Sequence, residues 1–196
     1  MTETRERLID AAMHLFWEKG YGSTSIADIL QRAQANSGSL YHFFPTKQDL
    51  LIAVLERYRD GIYPYLLEPA WSGVDDPLER VWSLLANYRR FLVETDCFYG
   101  CPIGSVALEL HEPDPIVRDR LSANFENWVE AVRECLEAAG DRLPGNVDRR
   151  ALAELVLCTM EGGVMLARTH RRIEAFDEPV RMLKDYVARL EAEAAA

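Results

Sequence analysis

The sequence lacks the features that would place the chain in a membrane or outside the cell. Its apolar runs are short and interrupted by charge, and none approaches the ~18–20 apolar residues of a membrane span. The polar start leads directly into an amphipathic pattern and shows no signal peptide. Cysteine is scarce, with 4 residues in 196, unlike the disulfide framework of a small secreted chain. We therefore expect a soluble, cytoplasmic protein with free thiols.

Positive charge is also in short supply, which limits how the chain could bind a nucleic acid. The net charge is −10. Residues 1–60 contain 7 Lys+Arg and 8 Asp+Glu, giving −1, whereas residues 61–196 contain 15 and 24, giving −9. A broad electrostatic field therefore cannot supply the affinity, which would have to come from individually placed contacts. One copy of a near-neutral domain should bind weakly, so two copies should be needed.

No convincing alternation with a period of two occurs, and apolar residues instead repeat near every 3.6 residues. The sequence thus predicts an all-α protein of about nine helices. Capping boxes beginning at Ser25 and Thr46, and Asp-Pro pairs at 76–77 and 114–115, mark helix starts. We predict a loop over 68–76 and a last helix over about 178–193. The predicted domains are an N-terminal domain, residues 1–47, and a C-terminal domain, residues 48–196.

The block 20–51 has the spacing of a helix-turn-helix DNA-binding unit, with two short helices joined by a tight turn. We place the turn near Gln34–Ser37 and the recognition helix near Ser37–Phe44. A recognition helix must enter the major groove, which favours small polar side chains on its outer face. The candidate contacts to phosphates and base edges are Thr24, Ser25, Asn36, Ser37, Gly38, Ser39, Tyr41, His42 and Lys47.

Lys47 is singled out by its place in the first turn of a helix. A cation there opposes the helix dipole, and a phosphate partner would account for it. The alternative interpretation of the whole block is a generic three-helix bundle in which the capping signals coincide by chance.

Particular residues of this block match a known family motif. They are Gly20, Thr24-Ser25-Ile26-Ala27-Asp28-Ile29, Ala33, Gly38-Ser39-Leu40-Tyr41, Phe44, Lys47 and Leu50-Leu51. Through them the sequence resembles the TetR/AcrR family of one-component bacterial regulators. The resemblance implies a homodimer that binds a palindromic double-stranded DNA operator and releases it when a small-molecule inducer binds. Gln34-Ala35 stand where the family usually has Gly-Val, and Ser37 stands where Lys or Arg is common, which removes one contact.

The C-terminal part is rich in aromatic residues and Met, which at helical spacing are usually core residues. A subset could instead line an apolar pocket for the inducer. The candidates are Trp82, Phe91, Phe125, Trp128 and Met160. Cys101 precedes Pro102 at a predicted helix start, where the helix dipole stabilises a thiolate. Residues 100–104 also resemble a segment of family members that sense electrophiles through a cysteine; the alternative is a buried, inert thiol.

Neither a metal site nor an enzyme is predicted. The spacing of Cys97, Cys101 and His111 matches no strong zinc pattern. We identify no oxyanion loop or third member that would make Cys101 and His111 a catalytic pair, so we predict no catalytic residues and no cofactor.

Two apolar stripes near the C-terminus predict a four-helix homodimer interface. The stripes are Leu152, Leu155, Val156, Thr159 and Met160 on one helix, and Val180, Leu183, Val187 and Leu190 on the other. Glu161-Gly162-Gly163 would let the helices approach closely. The alternative is that both stripes pack within one chain. The predicted function is a repressor released from its operator by a hydrophobic or electrophilic inducer; the alternative is a DNA-binding regulator without a small-molecule ligand.

Overall fold

The computed structural model describes residues 2–196, so Met1, the first residue of the predicted domain 1–47, lies outside the described residues. The described residues contain nine α-helices of seven or more residues and one single-turn α-helix, with no strand, which confirms the all-α prediction. The helices are α1 (Thr2–Lys19), α2 (Ile26–Ala33), α3 (Ser37–Phe43), α4 (Lys47–Ile62), α5 (Glu68–Trp71), α6 (Pro77–Glu94), α7 (Pro102–Glu109), α8 (Pro115–Ala138), α9 (Arg149–His170) and α10 (Glu174–Ala194). A π-helical turn, Tyr63–Leu67, follows α4. Within this range no helix is long and apolar enough to cross a membrane.

The helices begin at the capping residues that the sequence predicts. The Ser25 hydroxyl accepts from the Asp28 amide, and the Asp28 carboxylate accepts from the Ser25 amide. Thr46 heads a second capping box of the same form. Asp76 and Asp114 accept from amides at the starts of α6 and α8. These caps satisfy N–H groups that a first helical turn leaves without partners, which is why local sequence fixes the starts well.

Two predicted boundaries were wrong. The predicted loop 68–76 begins with the helical turn α5, because Pro69 stands in its first turn, where a missing N–H costs little. The last helix begins at Glu174 and contains Pro179 in its interior. Burial of Ala175 and Phe176 in the core offsets the backbone hydrogen bond that Pro179 removes.

The chain divides into two compact units, each with its own core. The first unit comprises Met1–Asp60 and Cys101–Phe125, and the second comprises Gly61–Gly100 and Glu126–Ala196. The core of the first unit is therefore larger than the helix-turn-helix alone and includes residues of α7 and α8 such as Val106 and Leu121. The predicted domain boundary between residues 47 and 48 stays a prediction.

In the first unit, polar contacts join the start of α8 to α4. The buried Asn124 amide donates to the Leu55 carbonyl at 3.0 Å and to the Arg120 carbonyl at 2.8 Å. Arg120 also pairs with Glu56 at 3.0 Å. Because a buried amide is costly to leave without partners, these contacts fix the register of α8 on α4.

In the second unit, α9 and α10 approach closely at Gly163. A Cβ atom there would lie 2.9 Å from the ring of Phe176, which is buried on α10. At the neighbouring Gly162 a Cβ atom would meet nothing within 4 Å. Only Gly163 of this pair is therefore required for the close approach of helices within the chain.

Candidate nucleic-acid interface and regulatory surfaces

The turn of the helix-turn-helix depends on one residue in the left-handed region. Gln34 ends α2 with φ 50° and ψ 46°, and its amide donates to the Gln31 carbonyl. Glycine usually occupies such a position, because a Cβ atom there costs about 1 kcal/mol. Asn36 then caps α3, with its side-chain oxygen accepting from the Ser39 amide at 2.8 Å. Gln34 thus supports the turn at the position where the family resemblance leads one to expect glycine.

The recognition helix α3 has one buried side and one exposed side. Leu40 is fully buried, and Phe44, which ends the helix, is buried beside it. The opposite side exposes Ser37, Gly38, Tyr41 and His42, with Ser39 partly exposed. Tyr41 is 53% exposed. An outer face of small residues with one projecting phenol fits the shape that major-groove entry demands.

The structure corrects the prediction for Thr24. Its side chain is buried, and its hydroxyl donates to the Gly20 carbonyl at 2.7 Å and lies 3.2 Å from the Leu15 carbonyl. The hydroxyl therefore fastens the loop after α1 and is not offered to a phosphate. Ser25 is exposed, and its hydroxyl hydrogen bond to Asp28 holds the pKa of that carboxyl below its usual range.

Lys47 has a partner inside the first unit. Its ammonium donates to the Tyr21 carbonyl and lies 4.3 Å from the centroid of the Tyr21 ring. Burial lowers the pKa of Lys47, with the nearby Glu109 opposing that shift. A phosphate is thus not needed to explain a cation at the start of α4, since Tyr21 already compensates for the unfavourable dipole. Its contact to DNA stays a prediction.

Glu109 is a site residue that the sequence analysis missed. It ends α7, and its carboxylate accepts from the Tyr21 amide at 2.8 Å and from the Gly22 amide. Glu109 also contributes, after burial, to raising the pKa of the Tyr21 phenol. Tyr21 and Glu109 lie 88 positions apart, so no local pattern could connect them. The available signal was an acidic residue at a helix C-terminus, where the dipole disfavours it.

The residues predicted to line a ligand pocket fall in both units. In the second unit, Trp128 and Met160 are buried, and the Trp128 indole N–H donates to the Tyr88 hydroxyl at 3.1 Å. Trp82 packs against the same core, and the Phe91 ring lies 6.2 Å from that of Tyr99. In the first unit, Cys101 and Phe125 pack against the core that contains the helix-turn-helix. Their role in ligand binding stays a prediction.

Cys101 caps the start of α7 as predicted, with its sulfur accepting from the Gly104 amide at 3.4 Å. The side chain is half-buried. Burial raises the pKa of the Tyr58 phenol on α4, and Cys101 is the second cause, so the two groups lie close together. A bulky adduct on this sulfur would therefore press against α4.

All four cysteines are free thiols, as predicted. Cys97 and Cys135 are buried, and burial raises the pKa of both, that of Cys135 to about 11. Cys158 is exposed. Together with the half-buried Cys101, it is therefore the thiol that a reagent can reach in the folded protein.

One side of α9 and α10 exposes an apolar surface, the α9–α10 face. It consists of Leu155, Cys158, Gly162, Met165 and Leu166 on α9 and Met182 and Tyr186 on α10. Their spacing of three and four residues places them on one side of each helix. Most residues predicted for a dimer interface are buried within the chain instead: Leu152, Val156, Met160, Leu183, Val187 and Leu190. Of the two predicted stripes, Leu155 is the large apolar member that points outward.

Family comparisons match both parts of the chain. Residues 8–54 match the model described as bacterial regulatory proteins of the tetR family. Residues 77–182 match the model of the C-terminal domain of LmrA/YxaF-like transcriptional regulators. The two matches cover the helix-turn-helix and most of the second unit.

Individual relatives agree over nearly the whole length. An uncharacterised HTH-type transcriptional regulator of Mycobacterium tuberculosis is 32% identical over 192 residues, which covers 94% of each chain. The HTH-type transcriptional repressor DhaR of Mycobacterium sp. (strain GP1) is 25% identical over 181 residues, covering 90% of this chain and 88% of the relative. A crystal structure of a regulatory TetR protein from Rhodobacter sphaeroides superimposes with a TM-score of 0.81 at 26% identity, covering 91% and 95%.

Proposed function

The chain belongs to the TetR family of bacterial transcriptional regulators, and on that premise we propose that it is a repressor that a small molecule releases from its operator. Members of the family are non-enzymatic DNA-binding proteins. The observation that carries the proposal is the exposed outer face of α3, which stands on a buried Leu40. Repression is supported by the relative from Mycobacterium sp., which is named a transcriptional repressor.

The operator-binding form in this proposal is a homodimer joined through the α9–α10 face. That face is apolar, exposed and free of charged side chains over the α9 residues that form it. Gly162 leaves room for a second helix to approach, because no atom of this chain lies near its missing Cβ. Two recognition helices held about 34–36 Å apart would read the two halves of a palindrome.

Tyr41→Ala tests the DNA-binding role of α3. The probe is a duplex selected from a randomised library by the full-length wild-type protein. We expect about tenfold weaker binding of that duplex, because Tyr41 projects from the groove-facing side and one good base or phosphate contact contributes ~1–3 kcal/mol. Fluorescence anisotropy measures the affinity, and circular dichroism should show unchanged helical content.

Tyr63→Ala is the matched control for Tyr41→Ala. Tyr63 is also an exposed tyrosine, but it lies in the π-helical turn of the second unit. We expect wild-type affinity from this variant. Equal affinities for Tyr41→Ala and the wild-type protein would contradict the role assigned to α3.

The inducer in this proposal is hydrophobic or electrophilic, and Cys101 is the group that an electrophile modifies. Its thiolate would add to an activated double bond, forming a C–S bond while the neighbouring carbon takes up a proton. The adduct would crowd Tyr58 and shift α7 against α4, because the phenol is buried beside the sulfur. Shape changes of this kind can lower the population of the DNA-binding conformation.

Cys101→Ser tests this sensor role, with N-ethylmaleimide as the electrophile and Cys158→Ser as the control. We expect the reagent to weaken duplex binding at least tenfold in the wild-type protein and in Cys158→Ser, and to leave Cys101→Ser unaffected. Mass spectrometry identifies the modified cysteine in each sample. A Cys101→Ser protein that loses affinity like the wild-type protein would show that Cys101 is not the sensor.

A further inference from the structure

The loop between α1 and α2 binds a carboxylate through two consecutive main-chain amides. The amides of Tyr21 and Gly22 donate to different oxygens of Glu109, so the contact is bidentate. Consecutive amides that point to one side form a small anion site. Here the chain's own carboxylate fills that site, and we call this contact the Glu109 clamp.

Glycine residues leave the space that the carboxylate occupies. A Cβ atom at Gly22 would lie 2.6 Å from one Glu109 oxygen, and at Gly20 it would lie 3.1 Å from the other. Gly20 has φ 89°, so any side chain there would also strain the backbone. Gly22 carries no such conformational requirement, which makes Gly22→Ala a way to expel the carboxylate without changing any charge.

The clamp compensates for an unfavourable helix position. Glu109 is the last residue of α7, where the partial negative charge of the helix end repels a carboxylate. Lys47 holds the same loop from its other side, since its ammonium donates to the Tyr21 carbonyl. The peptide groups around Tyr21 are thus fixed by α7 through their amides and by α4 through a carbonyl.

We propose that Glu109 is a positioning residue for DNA binding, which transmits the position of α7 to the loop before α2. This inference rests on the proposed function. The loop leads directly into Ser25, the N-cap of α2, so its position sets where α2 and α3 lie. Cys101 caps the other end of α7, and an eight-residue helix, about 12 Å long, carries a displacement from one end to the other.

The first experiment measures the clamp without any DNA. In the full-length protein, hydrogen exchange at the Tyr21 amide is followed by NMR for the wild-type protein, Glu109→Gln, Gly22→Ala and the double variant. A glutamine can accept only one of the two hydrogen bonds and presents an NH2 group to the other amide. We expect at least tenfold faster exchange in both single variants and no further increase in the double variant.

The second experiment measures binding to the duplex selected by the wild-type protein. We expect fivefold to tenfold weaker binding for Glu109→Gln and for Gly22→Ala, and the same loss in the double variant, because both changes break one contact. The dependence of affinity on salt should keep its wild-type slope, since a positioning residue changes no phosphate contact. Glu112→Gln, which removes an exposed charge three residues away, should bind like the wild-type protein.

The outcomes separate this inference from the proposed function. If the wild-type protein selects no duplex, the proposed function fails, while the exchange rates still show whether the clamp holds the loop. Unchanged exchange at the Tyr21 amide overturns the inference. It is also overturned if duplex binding is unchanged in the single variants, if their losses add, or if the salt dependence changes.

Discussion

Replacing Leu40 by Ala should lower the unfolding free energy of the first unit by about 2–5 kcal/mol. Leu40 is 0% exposed and is the buried side chain of α3, a helix of seven residues. Truncation removes its apolar contacts and leaves a cavity between α3 and the core that holds α1 and α2. A helix this short has little stability of its own, so packing must hold it in place.

Urea unfolding followed by circular dichroism measures the effect, and Tyr41→Ala serves as the neighbouring control. Tyr41 points outward, so its truncation should change the unfolding free energy by no more than about 0.5 kcal/mol. Leu40→Ala should lose duplex binding together with stability, whereas Tyr41→Ala should lose binding alone. Equal stabilities for the two variants would show that α3 is not anchored through Leu40.

The division of α3 into a buried and an exposed side could be predicted from sequence because both signals are local. Asn36 and Ser25 cap helices through residues three positions away, and the apolar spacing then fixes the buried side. The same local information left Gln34 and Thr24 misjudged. Gln34 adopts a conformation usual for glycine, and Thr24 uses its hydroxyl inside the loop, because the surrounding packing decides both.

The Glu109 clamp could not be predicted, because it joins residues that are distant in sequence and only folding brings together. The dimer residues on α9 were misassigned for a different reason. This helix has an apolar side that packs within the chain, containing Val156 and Met160, and a second apolar side that is exposed, containing Leu155 and Met165. Helical periodicity identifies apolar sides but does not say which one the chain's own core covers.

Leu155→Glu should convert the proposed homodimer into a monomer at micromolar concentration. Leu155 lies on the α9–α10 face and is 44% exposed in the single chain. A carboxylate there would lose its water on association without gaining a partner, because the neighbouring residues of that face on α9 are uncharged. Sedimentation velocity measures the change, and the folded monomer should keep its helical content.

The loss of dimers should weaken duplex binding at least a hundredfold. Residues 1–60 carry a charge of only −1, with 7 Lys+Arg and 8 Asp+Glu, so one copy has no electrostatic excess to replace the contacts of the second. Val93→Glu is the matched control, since Val93 is 52% exposed on α6, outside the α9–α10 face. It should remain dimeric and bind DNA normally. If both variants stayed dimeric, the α9–α10 face would not be the interface; if Leu155→Glu were monomeric yet bound the duplex tightly, affinity would not depend on pairing two recognition helices.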